Sequence, residues 1–212
     1  MNAVLLWALP TDWTQFELLA PDVDEQVESE VRRRFEGTTV NEDEVTRLIA
    51  TQLQALHEIA QDGVILLATR PERAAGENAP PAGLSLTLAL ANRPTSGPGE
   101  EPASAPDTAL AEAGGTSAAA GSAPRRSAAI PLILKDPNMA AFTVEEHAEV
   151  ALPGANLKRF QAQVFVLPKD QTGMAVVTVT TFDPDREADA RKSAHDFADT
   201  LCFVALDEEE TS

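Results

Sequence analysis

The chain has 212 residues, in which 34 acidic side chains outnumber 16 basic ones and give a net charge of −18 and an isoelectric point near 4.4. A field of that sign repels phosphate backbones and anionic lipid headgroups, so we expect neither nucleic acid nor a membrane surface as a partner. Hydrophobic residues make up 43% of the chain, which is enough for a core. The charge itself favours solubility or attraction to a partner of basic character.

The cysteine count and the first residues of the chain indicate in which cellular compartment the protein is expected. Cys202 is the only cysteine, which excludes an intrachain disulfide and a cluster of thiolate metal ligands. The apolar run at residues 4–7 has no basic leader and breaks at Pro10, and no stretch approaches the roughly 20 apolar residues that span a bilayer. We therefore expect a cytoplasmic protein.

The first part of the chain predicts strands, two helices and further strands. Short strands are indicated at residues 4–7 and 13–18. Residues 22–36 carry apolar side chains four positions apart, which is typical of an amphipathic helix. A second helix is predicted from an Asn41 cap to a stop at Gly63, and strands follow at 64–68 and 84–91.

A low-complexity segment separates this part from the next. Residues 94–127 are almost entirely Ala, Gly, Pro, Ser, Thr and Glu, and Leu110 is their only large apolar residue. Such a composition cannot offset the entropy of ordering the chain, so we predict a disordered linker that is dispensable for folding. It divides an N-terminal part (1–93) from a C-terminal part (128–206), which precedes an acidic tail (207–212).

The C-terminal part is predicted to be rich in strands. Candidate strands lie at 130–135, 148–152, 160–166 and 174–180, and a last helix is predicted from an Asp183 cap to Val204. Short turns between consecutive strands favour antiparallel pairing. The predicted fold is α+β, with an antiparallel sheet, helices packed on one face, and one domain interrupted by the long linker.

The run from Phe160 through the alternating Val and Thr of residues 176–180 to the helix ending at 197–201 resembles the end of PsbP-like domains, including small lipoproteins of actinobacteria. The resemblance covers about the last 70 residues. It implies a binding or assembly role, although the lipobox cysteine of the lipoprotein members is missing here. Twelve Arg against four Lys also indicates a bacterial genome of high GC content.

Several side chains are candidates for metal binding or catalysis, and each has a simpler structural interpretation. His195 and Asp199 are four apart on the last predicted helix, but a metal site needs three or four ligands. Residues 145–147 (Glu-Glu-His) are expected in an exposed acidic turn. The run beginning at Asp183 resembles the start of a calcium loop but lacks its glycine and its final glutamate. Cys202 is expected to be a small core residue near a helix end.

The chain also lacks the sequence motifs of phosphate loops, dinucleotide sites, serine hydrolases and zinc proteases. We therefore predict no catalytic residue, no metal, no cofactor and no enzymatic activity. An enzyme with dispersed carboxylates is the third choice.

Possible interface residues are Trp7, Trp13, Arg32, Arg33 and Arg34. Either both tryptophans close one edge of the core, or at least one lies exposed and marks a docking surface. The three arginines form either an interaction spot or a solvated helical face that balances nearby glutamates.

The predicted function is a non-enzymatic protein-binding module with an acidic surface, such as an assembly factor, an adaptor, or a chaperone-like or immunity-type protein. The alternative is a structural subunit that self-associates into a homo-oligomer through an exposed strand edge.

Overall fold

The computed structural model describes residues 3–70, 83–92, 124–152, 155–169 and 173–205. The helices are α1 (Val23–Phe35), α2 (Glu42–Gln61) and α3 (Glu187–Ala198), with a 3-10 turn (Pro184–Arg186) directly before α3. The strands are β1 (Ala3–Leu6), β2 (Thr14–Glu17), β3 (Val64–Arg70), β4 (Leu84–Asn92), β5 (Arg125–Arg126), β6 (Ile130–Leu132), β7 (Met139–Leu152), β8 (Ala155–Pro168), β9 (Gly173–Thr181) and β10 (Cys202–Ala205).

Eight of these strands form one antiparallel sheet, which confirms the predicted α+β class. Along the sheet the order is β2-β3-β4-β9-β8-β7-β5, and β6 also pairs with β7. The pairing of β4 with β9 joins the strands on either side of residues 94–123 into one sheet. The remaining strands, β1 and β10, form a separate antiparallel pair.

Helices cover both faces of the sheet, because its strands are apolar on both sides. On β3, Leu66 and Ala68 point into a core that includes Ala194 and Phe197 of α3. Leu67 points to the opposite face, where α1 and α2 pack. Successive residues of a strand face opposite sides, so this continuous apolar run serves two layers. The helices are thus divided between two faces, whereas the sequence predicted one.

The local helix signals are confirmed. Val23, Val27 and Val31 form the buried stripe of α1. The Asn41 side chain caps α2 by accepting from the Asp43 N–H at 3.1 Å. Gly63 ends this helix with φ of +84°, a conformation that side chains with a Cβ rarely adopt.

The prediction that the last helix runs to Val204 is wrong. Helix α3 ends at Ala198, where the Thr200 hydroxyl bonds to the carbonyl of Phe197 at 2.8 Å. Residues Cys202–Ala205 then form β10, which pairs with β1 from the far end of the sequence. Cys202 is consequently exposed and is not a core residue.

The prediction of an exposed acidic turn at residues 145–147 is also wrong, because these residues lie in the middle of β7. Glu146 is only 4% exposed, and its carboxylate accepts from Arg126 at 2.7 Å and from Arg159 at 2.6 Å. Arg126 lies within the predicted linker, so the linker boundary at 127 is too late. Residues 94–123 and the tail 207–212 lie outside the described residues.

The Arg126–Glu146 contact gives a stability prediction. Arg126→Ala removes one of the two donors to a buried carboxylate and is expected to lower the free energy of unfolding by about 1.5–3 kcal/mol. Arg125→Ala is the matched control, because Arg125 is exposed and pairs with β7 through its backbone. Urea unfolding measures both, and equal stabilities for the two variants would contradict the account.

Candidate protein-binding surface

The two tryptophans lie on the segment that joins β1 to β2. Thr200, just beyond α3, fixes this segment because its hydroxyl oxygen accepts from the Ala8 N–H at 3.2 Å and lies 3.1 Å from the Ala8 carbonyl. A turn follows, in which the Trp13 N–H donates to the Pro10 carbonyl at 3.2 Å. The segment is therefore attached at one end to α3 and at the other to the edge of the main sheet.

Both indole rings pack against the core, but to different extents. Trp13 is only 8% exposed, and the guanidinium carbon of Arg70 lies 5.4 Å from its ring centroid. Trp7 is half-buried and packs against the same core together with Leu9. The tryptophans thus close one edge of the core, the first of the two predicted alternatives.

The segment also separates two clefts, and Trp13 lines both. One cleft, of about 550 Å³, is lined by residues of β1, by Trp7 and by Gln15 and Glu17 of β2. The other, of about 520 Å³, lies against α3, which contributes Asp189 and Asp196 among others. The first cleft therefore combines apolar walls with one acidic side chain, whereas the second contains Arg70 and Lys192 as well as its two aspartates.

An apolar row runs along the outer face of the β1–β10 pair. Val4 and Val204 are directly opposite each other in the register, and Leu6 lies two positions along. Their exposed fractions are 39%, 40% and 52% respectively. Leu6 also lines the first cleft, so row and cleft are continuous. We call the three residues together with this first cleft the tryptophan surface.

Open strand edges border the tryptophan surface. Among the described residues, β1 and β10 pair only with each other, and β2 pairs only with β3. Unpaired edges present backbone N–H and C=O groups that accept a further strand. The surface therefore offers apolar contacts and backbone hydrogen bonds side by side.

The arginines of α1 lie elsewhere and are paired. Arg32 bonds to Glu28 and Glu42, whereas Arg33 and Arg34 share Glu30. The pKa of Glu30 is held below its usual value, chiefly by its hydrogen bond to Arg33. This geometry matches the helical face that balances its own glutamates, and the arginines do not join the tryptophan surface.

The Asp199 carboxylate has Lys135 as its hydrogen-bond partner. Asp199 accepts from the Lys135 backbone N–H at 3.2 Å, and its second oxygen lies 3.5 Å from the Lys135 ammonium.

Burial and the nearby Arg191 lower the pKa of His195. Arg191 forms two hydrogen bonds with Glu145, at 2.6 and 2.9 Å, which fasten α3 to β7 and lower the pKa of Glu145.

The remaining candidates have structural roles. Asp183 caps the 3-10 turn by accepting from the Asp185 N–H at 3.0 Å, as predicted. Within the described part of the chain, no group of three or more His, Cys, Asp or Glu side chains is arranged to hold a metal ion. None of the described helices has the length and apolar character to cross a membrane.

Sequence reasoning missed the charged cluster around Glu146 because it spans three strands: Glu146 lies on β7, and its partners Arg126 and Arg159 lie on β5 and β8. The only signal in the sequence was the acidic pair Glu145-Glu146. An exposed turn accounts for such a pair equally well.

Comparison with known proteins finds similarity among solved structures. No family model and no curated protein matches the chain. Among solved structures, the fold is similar to LpqN, which is involved in cell envelope biogenesis of Mycobacterium tuberculosis. The two share 11% identity and a TM-score of 0.45, over 96% of this chain and 85% of LpqN. A PsbP-like relationship stays a prediction.

The different burial of the two tryptophans predicts different costs of removal. Trp13→Ala empties a buried site and is expected to lower the free energy of unfolding by about 3–5 kcal/mol. Trp7→Ala, at a half-buried site, is expected to cost about 1–2 kcal/mol. Urea unfolding followed by circular dichroism distinguishes the two, and a Trp13→Ala protein as stable as the wild type would show that the indole is not part of the core.

Proposed function

We propose that the protein is a non-enzymatic binding module that receives an extended segment of a partner protein on the tryptophan surface. The observation that carries the proposal is the continuity of the exposed Leu6, Val4 and Val204 row with a cleft bordered by the open edges of β1 and β2. Strand addition uses such an edge for backbone hydrogen bonds, and neighbouring apolar positions provide side-chain contacts.

The charge around the surface supports a partner of a particular kind. Glu17 is the charged residue of the first cleft, whereas the second cleft, which adjoins it through Trp13, contains the Asp196–Lys192 ion pair as well as Asp189 and Arg70. The whole chain has a net charge of −18. A partner segment that alternates apolar residues with Lys or Arg would place its apolar side chains on the row, and its basic side chains would be attracted by Glu17 and by the net negative charge of the chain.

Self-association is the alternative use of the same surface. A second copy would place one apolar row against another, and a two-fold dimer requires only one self-complementary patch. The excess of negative charge on both copies opposes this contact. We therefore favour a different protein as the partner.

The test compares two double variants, each of which replaces one Leu and one Val by Glu. Leu6→Glu with Val204→Glu places charge on the tryptophan surface, whereas Leu19→Glu with Val40→Glu places it on other exposed residues that line neither cleft. Peptides are selected from a random display library with the wild-type protein. We expect enriched peptides with alternating apolar and basic residues, and an affinity at least about tenfold weaker for the first variant only.

Salt and light scattering complete this test. Binding is expected to weaken as salt rises, because the screening length falls to about 10 Å at 0.1 M. Melting curves show whether each variant is folded, and Leu6→Ser with Val204→Thr is a milder substitute. Equal loss of binding in both double variants contradicts the proposed site. A wild-type dimer that only the first variant dissociates contradicts it in favour of self-association.

A further inference from the structure

A small apolar cavity, of about 250 Å³, lies between α1, α2 and the face of the sheet opposite α3. Both helices and the strands β2 and β3 contribute to its walls. Its apolar lining residues are Phe16, Val27, Ala55, Leu56, Ile59 and Leu67. None of the residues that line it belongs to the tryptophan surface.

The apolar core between the helices and the sheet is not completely filled at this place. Phe16, Val27 and Leu56 are buried. Ile59 and Leu67 pack against the same apolar cluster but are only partly buried. Protein interiors normally contain few voids larger than a water molecule. Apolar surface that stays open to water here would be stabilised by contact with an apolar ligand.

The two charged residues that line the cavity neutralise each other. Glu30 accepts from Nε of Arg34 at 2.8 Å. Arg33, on the same helix, donates two further hydrogen bonds to the Glu30 carboxylate, both at 2.9 Å. Among the described residues, the cavity therefore offers a charged ligand no unpaired counter-charge. Burying a charge without a partner is costly, so the lining favours a neutral ligand.

Two neutral polar groups at the cavity have spare hydrogen-bonding capacity. The hydroxyl of Thr69 is buried and has no hydrogen-bond partner within the described part of the chain. The side-chain amide of Gln52 makes no hydrogen bond with any residue that the structure describes. A hydroxyl and an amide can each donate or accept. A few such groups in a mainly apolar wall are typical of ligand pockets, where they fix the orientation of the ligand.

We propose that this cavity binds a small, neutral, mainly apolar molecule: a bicyclic ring that carries one hydrogen-bonding group. An apolar cavity of about 150 Å³ in another protein holds benzene, so the larger volume of this cavity has room for two fused rings. The rings lie among the apolar side chains, and the polar group of the ligand bonds to Gln52 or Thr69. The volume lies below the roughly 300–1,000 Å³ of pockets for drug-sized molecules, which favours a small ligand.

An NMR titration of the ¹⁵N-labelled full chain with indole tests the site. We expect saturable shifts at amides around Gln52, Ile59 and Leu67, and none at β1 or β10. An indole carboxylate, which adds a negative charge to the same two rings, should bind at least about tenfold more weakly. Shifts confined to β1 and β10, or equal binding of the two ligands, would contradict the proposal.

A matched pair of substitutions separates the cavity from non-specific binding. Ala55→Trp places an indole side chain at an exposed position of α2 that lines the cavity, where it competes with the ligand for the same space. Ala50→Trp makes the same change at an exposed position of α2 that does not line it. We expect the dissociation constant for indole to rise at least about tenfold in the first variant and to stay within about twofold of the wild type in the second.

Melting curves accompany the titration. Both substituted positions are exposed, so we expect both variants to unfold as cooperatively as the wild type. Indole should raise the melting temperature of the wild type and of Ala50→Trp, but not of Ala55→Trp. Ala55→Leu, with the same expectation, takes the place of Ala55→Trp if the larger side chain prevents folding. No saturable binding of indole to the wild type, or equal weakening in the two tryptophan variants, would overturn the proposal.

Discussion

Four residue pairs join β1 to β10, and they connect strands at opposite ends of the sequence. Because of this pairing, one face of the two-stranded unit, with Leu5 and Phe203, packs on the core, while the opposite face exposes Val4, Leu6 and Val204. The Thr200–Ala8 hydrogen bonds hold the following segment to the end of α3. Without these long-range contacts, neither the apolar row nor the two clefts would exist.

The main sheet supplies the rigid support for the tryptophan surface. Its central strands are apolar on both faces, so α3 and the α1–α2 pair are bound on opposite sides and fix the sheet between them. Glu17 is the one charged residue among those that line the first cleft of the tryptophan surface.

The parts of the fold that local signals determine could be predicted from the sequence. Helices α1 and α2 follow from four-residue spacing, the Asn41 cap and the Gly63 stop, and β4 follows from strict alternation. Strand β10 could not be predicted, because its partner lies almost 200 positions away and residues 202–204 continue a helical pattern. The Glu146 cluster was missed for a similar reason: whether an acidic residue is exposed or buried depends on arginines from other strands.

The tryptophans show how far local sequence signals lead and where long-range strand pairing takes over. From the sequence, Trp7 and Trp13 could belong either to the core or to an interface. In the structure they pack against the core and also line a cleft. The sequence contains no local feature that places Leu6 beside this cleft, because strand pairing decides which side of β1 faces outward.

Hydrogen exchange of the protein with and without a selected peptide tests strand addition most directly. The account predicts that amides of the open strand edges at β1 or β2 exchange at least about tenfold more slowly in the complex, because they gain hydrogen bonds to the peptide backbone. Amides of α1, β7 and β8 should be unchanged. Protection confined to those elements, with none at β1 or β2, would contradict the proposed binding mode.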